Sequence, residues 1–137
     1  MTFSLHERLA ADTVFLADWQ VSRVLLMNDA RFPWLILVPR VNAAIELFDL
    51  DDRTRLIVME DIARAARGLR GWADAHGGCD KINIGAIGNV VPQLHVHIVA
   101  RRRNDALWPA PVWGNGTAIP YDEARKAAIV NNLQTIL

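Results

Sequence analysis

The segment Pro92-Gln93-Leu94-His95-Val96-His97-Ile98-Val99-Ala100-Arg101 constrains this chain more than any other. Polar and apolar residues alternate along it with a period of two, which predicts a β-strand. On such a strand Gln93, His95 and His97 share one face, and Leu94, Val96 and Ile98 share the other. Side chains on one face repeat every ~6.6–6.8 Å, so two imidazoles and an amide can converge on one small anion or bound group. Half of the chain's four histidines lie here. The fold must therefore supply a sheet that keeps this strand rigid, with its polar face turned to a site.

Composition narrows the class. A chain of 137 residues, 52% hydrophobic, is long enough to bury a core and fits one domain over residues 1–137. Fifteen basic and fifteen acidic residues cancel, which leaves no electrostatic footprint for nucleic acid and no polybasic face for a membrane. The lone Cys79 excludes a disulfide framework and points to a reducing cytoplasm. No leader pattern and no apolar run approaching about 18 residues is present, so neither secretion nor membrane spanning is expected.

Around the histidine strand the pattern reads as α+β. Ser4 and Glu7 have capping-box spacing, and Leu5, Leu9, Phe15, Leu16 and Trp19 recur at helical intervals, predicting a helix from Leu5 to about Trp19. Strands are expected at Gln20–Met27 and Trp34–Val38, paired across the turn at Asn28-Asp29-Ala30 and stopped by Pro39. A long helix from about Arg53 to His76 carries the stripe Leu56, Met59, Ile62, Ala63, Ala66, Leu69 and Ala73, and Gly77-Gly78 ends it. Lys81–Ile87 reads as a strand antiparallel to the histidine strand across Gly88-Asn89. A Trp- and Pro-containing loop, Asn104–Pro120, precedes a last helix from Tyr121 to Leu137. The sum is a small antiparallel sheet with helices beside it.

The residue types on the histidine strand suit phosphoryl chemistry. Neutral imidazole is a nucleophile toward phosphorus and titrates near physiological pH. A second imidazole can hydrogen-bond to phosphate oxygen or carry a proton, and the Gln93 amide offers a donor and an acceptor without titrating. The Gly88-Asn89 turn can present backbone N–H groups to a phosphate. His-x-His on a strand equally suits a divalent metal, given a third ligand such as His6, His76 or Glu46. Two further readings stay open. Arg101-Arg102-Arg103 serves as a solvated strand end or as a phosphate clamp, and Trp108 and Trp113 pack the core, pack a dimer partner or close over a bound base.

Gln93-Leu94-His95-Val96-His97-Ile98-Val99 resembles the His-φ-His-φ-His-φ-φ signature of the histidine triad, or HIT, proteins, where φ is apolar. The likeness extends through Asn83, Gly88 and Asn89 and, more loosely, through Leu35-Ile36-Leu37-Val38-Pro39-Arg40. It implies an α+β fold with an antiparallel sheet of about five strands, a long helix and a C-terminal helix. It also implies a nucleotide hydrolase or transferase acting at the α-phosphate of purine nucleoside derivatives: phosphoramidates, dinucleoside polyphosphates or adenylylated amines.

By position His95 matches the nucleophile that forms a covalent nucleotidyl-histidine, and His97 matches the third histidine, which binds phosphate and manages protons. Asn83, Gly88 and Asn89 match phosphate contacts, and Asn28 falls near the polar position that binds ribose hydroxyls. The resemblance further implies a homodimer formed through the long helix and a strand, with no metal or cofactor in the protein itself and Mg2+ arriving with a polyphosphate substrate. Two departures bear on rate. Gln93 replaces the first histidine and cannot relay a proton, a service worth about 10²–10⁴-fold where it operates. Trp34 and Asn42 stand where relatives often carry histidine. A nucleotide-binding module without turnover is the alternative that these departures favour.

Overall fold

A computed structural model describes residues 2–137. The elements in order are α1 (Glu7–Asp12), β1 (Thr13–Asp18), β2 (Ser22–Met27), β3 (Trp34–Pro39), α2 (Asp52–Ala75), β4 (Lys81–Gly85), β5 (Val96–Arg101) and α3 (Glu123–Ile136). The five strands form one sheet in the order β1-β2-β3-β5-β4, every neighbouring pair antiparallel. This is the α+β arrangement that the sequence pattern and the resemblance both imply.

Alternation along the central strands divides the interior in two. Val24, Leu26, Leu35, Leu37, Val96, Ile98 and Ala100 turn to one face, where Val58, Ala65 and Leu69 of α2 and Ile129 and Leu133 of α3 cover them. Leu25, Trp34, Ile36, Val38 and Val99 turn to the opposite face and pack with Leu9, Phe32, Val91 and Val112. The second face has no long helix over it; α1 and loops cover it instead. That difference leaves room for a site.

Four expectations need correction. The first helix ends at Asp12, and Thr13–Asp18 is an edge strand paired with β2 through Thr13↔Met27 and Val14↔Leu26. Thr13, Val14 and Phe15 are β-branched or aromatic and prefer a pleated surface, and the free edge of β2 supplies the partner. His6, not Ser4, caps α1, its Nδ1 accepting from the Arg8 N–H at 3.1 Å. On α2 the buried line is Val58, Ile62, Ala65, Leu69 and Ala73, while Leu56 and Met59 stand 70% and 57% exposed. Finally, β5 begins at Val96, so Gln93 and His95 precede the strand and three side chains do not line one strand face.

The predicted stops hold. Gly77 and Gly78 adopt φ of 111° and 98°, and the Gly78 N–H returns to the Ala73 carbonyl at 2.8 Å, a left-handed close that glycine permits. Asp122 caps α3 by accepting from the Arg125 N–H at 2.8 Å. Among the described residues, no helix is long and apolar enough to cross a membrane.

Candidate active site

His97 lies in the middle of the sheet, on the face away from α2. It sits opposite Ile36 of β3 on one side and Gly85 of β4 on the other. His95 is one residue outside the strand, in a loop pinned by the Leu94 N–H donating to the Ala44 carbonyl at 2.9 Å. Both imidazoles are mostly buried, at 6% and 8% exposure, and their rings meet edge to face with centroids 4.9 Å apart.

Hydrogen bonding fixes the tautomer of each ring. The Nδ1 of His95 lies 2.7 Å from the Gln93 carbonyl oxygen, which only accepts, so Nδ1 carries the proton and Nε2 keeps its lone pair. The Nδ1 of His97 lies 3.0 Å from the Trp34 indole Nε1, which only donates, so Nδ1 accepts and Nε2 carries the proton. Burial, reinforced by the neighbouring His95, holds His97 down at about 3. At neutral pH it is an uncharged donor. The pair thus presents one nucleophilic nitrogen beside one N–H.

A cavity of about 460 Å³ opens on these rings. Leu9, Met27, Trp34, Ile36 and Trp113 give it apolar walls, and Gly88 and Asn89 lie at its rim. Trp113 packs edge to face on His97, centroids 5.6 Å apart. It reaches that place because Gly85 has no side chain: a Cβ there would sit 3.0 Å from the Trp113 ring. His95 also borders a second cavity of about 300 Å³, between Ile45, Phe48, Ile87 and Leu94. The His95 ring therefore stands on the wall between two cavities.

His95, His97, Gly88 and Asn89 are brought together. The other predicted site residues are placed elsewhere or spend their side chains on the frame. The Gln93 Oε1 accepts from the His6 N–H and its Nε2 donates to the Ser4 carbonyl, both at 2.8 Å, tying the N-terminal arm to the histidine loop. The Asn83 Oδ1 accepts from Arg101, and the Asn28 Oδ1 accepts from the Tyr121 N–H, each at 3.0 Å.

Arg101 is neither a solvated strand end nor a clamp on the histidine cavity. It is 1% exposed, bonded through Nε and Nη2 to both carboxylate oxygens of Asp105 at 2.7 and 3.0 Å, and covered by the rings of Phe32 and Trp108. Trp108 is thus a packing residue, whereas Trp113 lines the cavity. Among the described residues, no three His, Cys, Asp or Glu side chains converge to hold a metal ion.

Trp34 is the site residue whose role sequence reasoning missed. Its identity is plain in the chain, but its bond to His97 arises from the pairing of β3 with β5, in which Trp34 faces Val99, two residues from His97. Gly85 was equally silent, since its value lies in what Trp113 does over it.

Comparison with known proteins identifies the family. The HIT domain profile matches residues 8–104. The chain superposes on a histidine triad protein from Bradyrhizobium japonicum with 44% identity and a TM-score of 0.91, covering 98% of each chain. A histidine triad protein from Marinobacter aquaeolei gives 40% identity and a TM-score of 0.94, over 100% of this chain and 97% of the other. One from Sinorhizobium meliloti gives 40% identity and a TM-score of 0.91, over 99% and 98%. A zinc-bound histidine triad family protein from Mycobacterium smegmatis shares the fold at 17% identity and a TM-score of 0.60, over 94% of this chain and 88% of the other. Among curated proteins no match is found. With the profile spanning well over half of the chain and close structural likeness along its whole length, the protein belongs to the histidine triad (HIT) family.

Proposed function

We propose that the protein is a nucleotide hydrolase or transferase that acts at the α-phosphate of purine nucleoside derivatives through a nucleotidyl-His95 intermediate. The observation that carries this reading is the complementary pair of tautomers: a His95 Nε2 lone pair beside a His97 Nε2–H. Attack of His95 Nε2 on the α-phosphorus forms a P–N bond and breaks the bond to the leaving group, which takes its proton from water. The new imidazolium keeps Nδ1–H on the Gln93 carbonyl, whose partial negative charge stabilises it. Water then attacks phosphorus, releases the nucleoside monophosphate and returns His95 to its starting state. His97, uncharged, donates Nε2–H to a phosphate oxygen without repelling the imidazolium.

The two cavities divide the substrate. The apolar 460 Å³ cavity suits a purine base and the 300 Å³ cavity suits the leaving group, with the phosphorus between them at His95. Gly88 and Asn89 approach the phosphate; Asn28 and Asn83 belong to the frame. Gln93 is a positioning residue, orienting His95 by its carbonyl and the arm that walls the cavity by its amide.

The reading uses no resident metal, and Mg2+ enters with a polyphosphate substrate. Residues 1–137 act as one domain in a reducing cytoplasm, where Cys79 stays a thiol. The exposed Leu56 and Met59 on α2 and Ile84 on the edge strand β4 support a homodimer. Release of adenosine monophosphate from adenosine phosphoramidate and from diadenosine tetraphosphate tests the reading. Turnover in the wild type, lost in His95→Ala and retained after chelation with the phosphoramidate, is the expected result. Saturable binding without product from either substrate would replace it with a binding module.

A further inference from the structure

A second cavity system lies away from His95 and His97, between the C-terminal end of α2 and α3. It encloses about 440 Å³ and shares no lining residue with the histidine cavity. Three arginines, Arg31, Arg102 and Arg125, reach it, and no Asp or Glu lines it. Tyr121, Arg125 and Ile129 on its wall all lie beyond residue 104, where the family profile ends.

In a chain whose formal charges cancel, this is a local excess of positive charge. Arg31 is compensated, since Asp29 holds it at 2.8 Å. Arg102 is not: its Nε and Nη2 donate to the neutral carbonyls of Gly78 and His76 at 2.8 and 2.7 Å. Those two bonds fix the guanidinium and leave Nη1 without a partner among the described residues. Gly77 makes this placement possible, because a Cβ there would sit 3.0 Å from Nη1.

Arg125 has no ion pair and no side-chain hydrogen bond among the described residues, and its guanidinium lies 5.5 Å from the centre of the Tyr121 ring. It also stands in the first turn of α3, where the helix field disfavours a cation. Burial pushes the Tyr121 phenol up to about 12, so the ring adds no negative charge. Apart from the Asn132 amide, the remaining wall is apolar or flat: Pro33, Ala128, Ile129, and the Trp72 indole stacked on His76 with centroids 4.2 Å apart.

We infer that this cavity is a binding site for a phosphate monoester with a small flat or apolar organic part, separate from the histidine site. Two uncompensated guanidinia match the two charges of the monoester, and their planar forks match its oxygens. The cavity is larger than a bare phosphate requires, and its aromatic and aliphatic wall takes the organic group. The Trp72 indole N–H, buried with no acceptor among the described residues, is a reporter built into the wall.

The test is an NMR titration at low salt with phenyl phosphate and with inorganic phosphate, following the five indole N–H signals. Phenyl phosphate is expected to shift Trp72 saturably at millimolar concentration or below, more tightly than inorganic phosphate and without moving Trp34 or Trp113 in step. Arg125→Glu should weaken that binding at least tenfold and Arg125→Lys by a smaller factor, both with native indole dispersion and unchanged nucleotide turnover. The inference falls if Trp72 does not respond, if Arg125→Glu binds as the wild type does, or if Trp72 moves only together with Trp113.

Discussion

Replacing Trp34 by phenylalanine isolates the bond that sets the His97 tautomer. The indole N–H donates to His97 Nδ1 at 3.0 Å, and both residues are buried, at 5% and 8% exposure. Removing the donor leaves a buried acceptor unpaired, which costs about 1–3 kcal/mol. The smaller ring also leaves a void of roughly 40 Å³, worth about 1 kcal/mol at about 24 cal/mol per Å³. Together the variant should lose about 2–4 kcal/mol, read as a lowered urea midpoint with an unchanged slope.

The chemical consequence is separate from the loss of stability. Without the indole, nothing holds the proton of His97 on Nε2, and the ring samples both neutral tautomers. Nitrogen-15 spectra of the imidazoles read this directly: wild-type His97 shows one protonated nitrogen, Nε2, and the variant shows intermediate shifts. Turnover should fall by about 2-fold, because the donor to the phosphate is then present only part of the time. A variant whose His97 keeps a single Nε2–H tautomer would refute the argument, whatever its activity.

Three other expectations follow from the same contacts. Gln93→Ala removes two 2.8 Å bonds to the N-terminal arm, together about 1–3 kcal/mol. Hydrogen exchange at the His6 amide should accelerate and KM should rise, while kcat changes little because the Gln93 carbonyl remains; unaltered exchange would show that the amide holds nothing. His97 titrates at about 3 in the fold against 6.5 unfolded. Its contribution is therefore complete above pH 6.5 and lost as pH falls toward 3, with a slope approaching about 1.4 kcal/mol per pH unit. Urea midpoints across that window measure the slope, and His97→Gln should flatten it.

In Asp105, burial alone raises the carboxyl, but Arg101 and the backbone N–H groups of Arg102 and Leu107 overcome this and hold it down at about 2. Asp105→Ala should cost about 3–5 kcal/mol by stranding a buried guanidinium. A loss below about 1 kcal/mol by denaturation would mean that water already reaches Arg101.

The sheet was legible because its central strands carry strong local signals: Leu35–Val38 before Pro39, and Val96–Ala100 after the histidines. The edge strand β1 was not, since Phe15, Leu16 and Trp19 fit a helical spacing as well as a strand, and only the free edge of β2 decides between them. On α2 the apolar residues run around more than one face, so spacing alone did not show that Leu56 and Met59 point outward. At the site, His97 was legible from alternation, whereas His95 stands one residue outside the strand and reaches the same cavity from a loop. The bonds that give them different tautomers were not legible: one comes from a main-chain carbonyl, the other from a tryptophan on a strand far away in sequence. The amides of Gln93, Asn83 and Asn28 look alike in sequence, and only tertiary structure shows that each is bonded to the frame.

In the proposed reaction His95 Nε2 becomes bonded to phosphorus. The most direct test is intact mass measurement after rapid quenching of the protein with adenosine phosphoramidate, with His95→Ala alongside. An added adenylyl group on the wild type, absent from the variant and carried by the peptide containing His95, is the predicted result. Release of adenosine monophosphate with no adduct at any quench time, or an adduct that persists in His95→Ala, would contradict it.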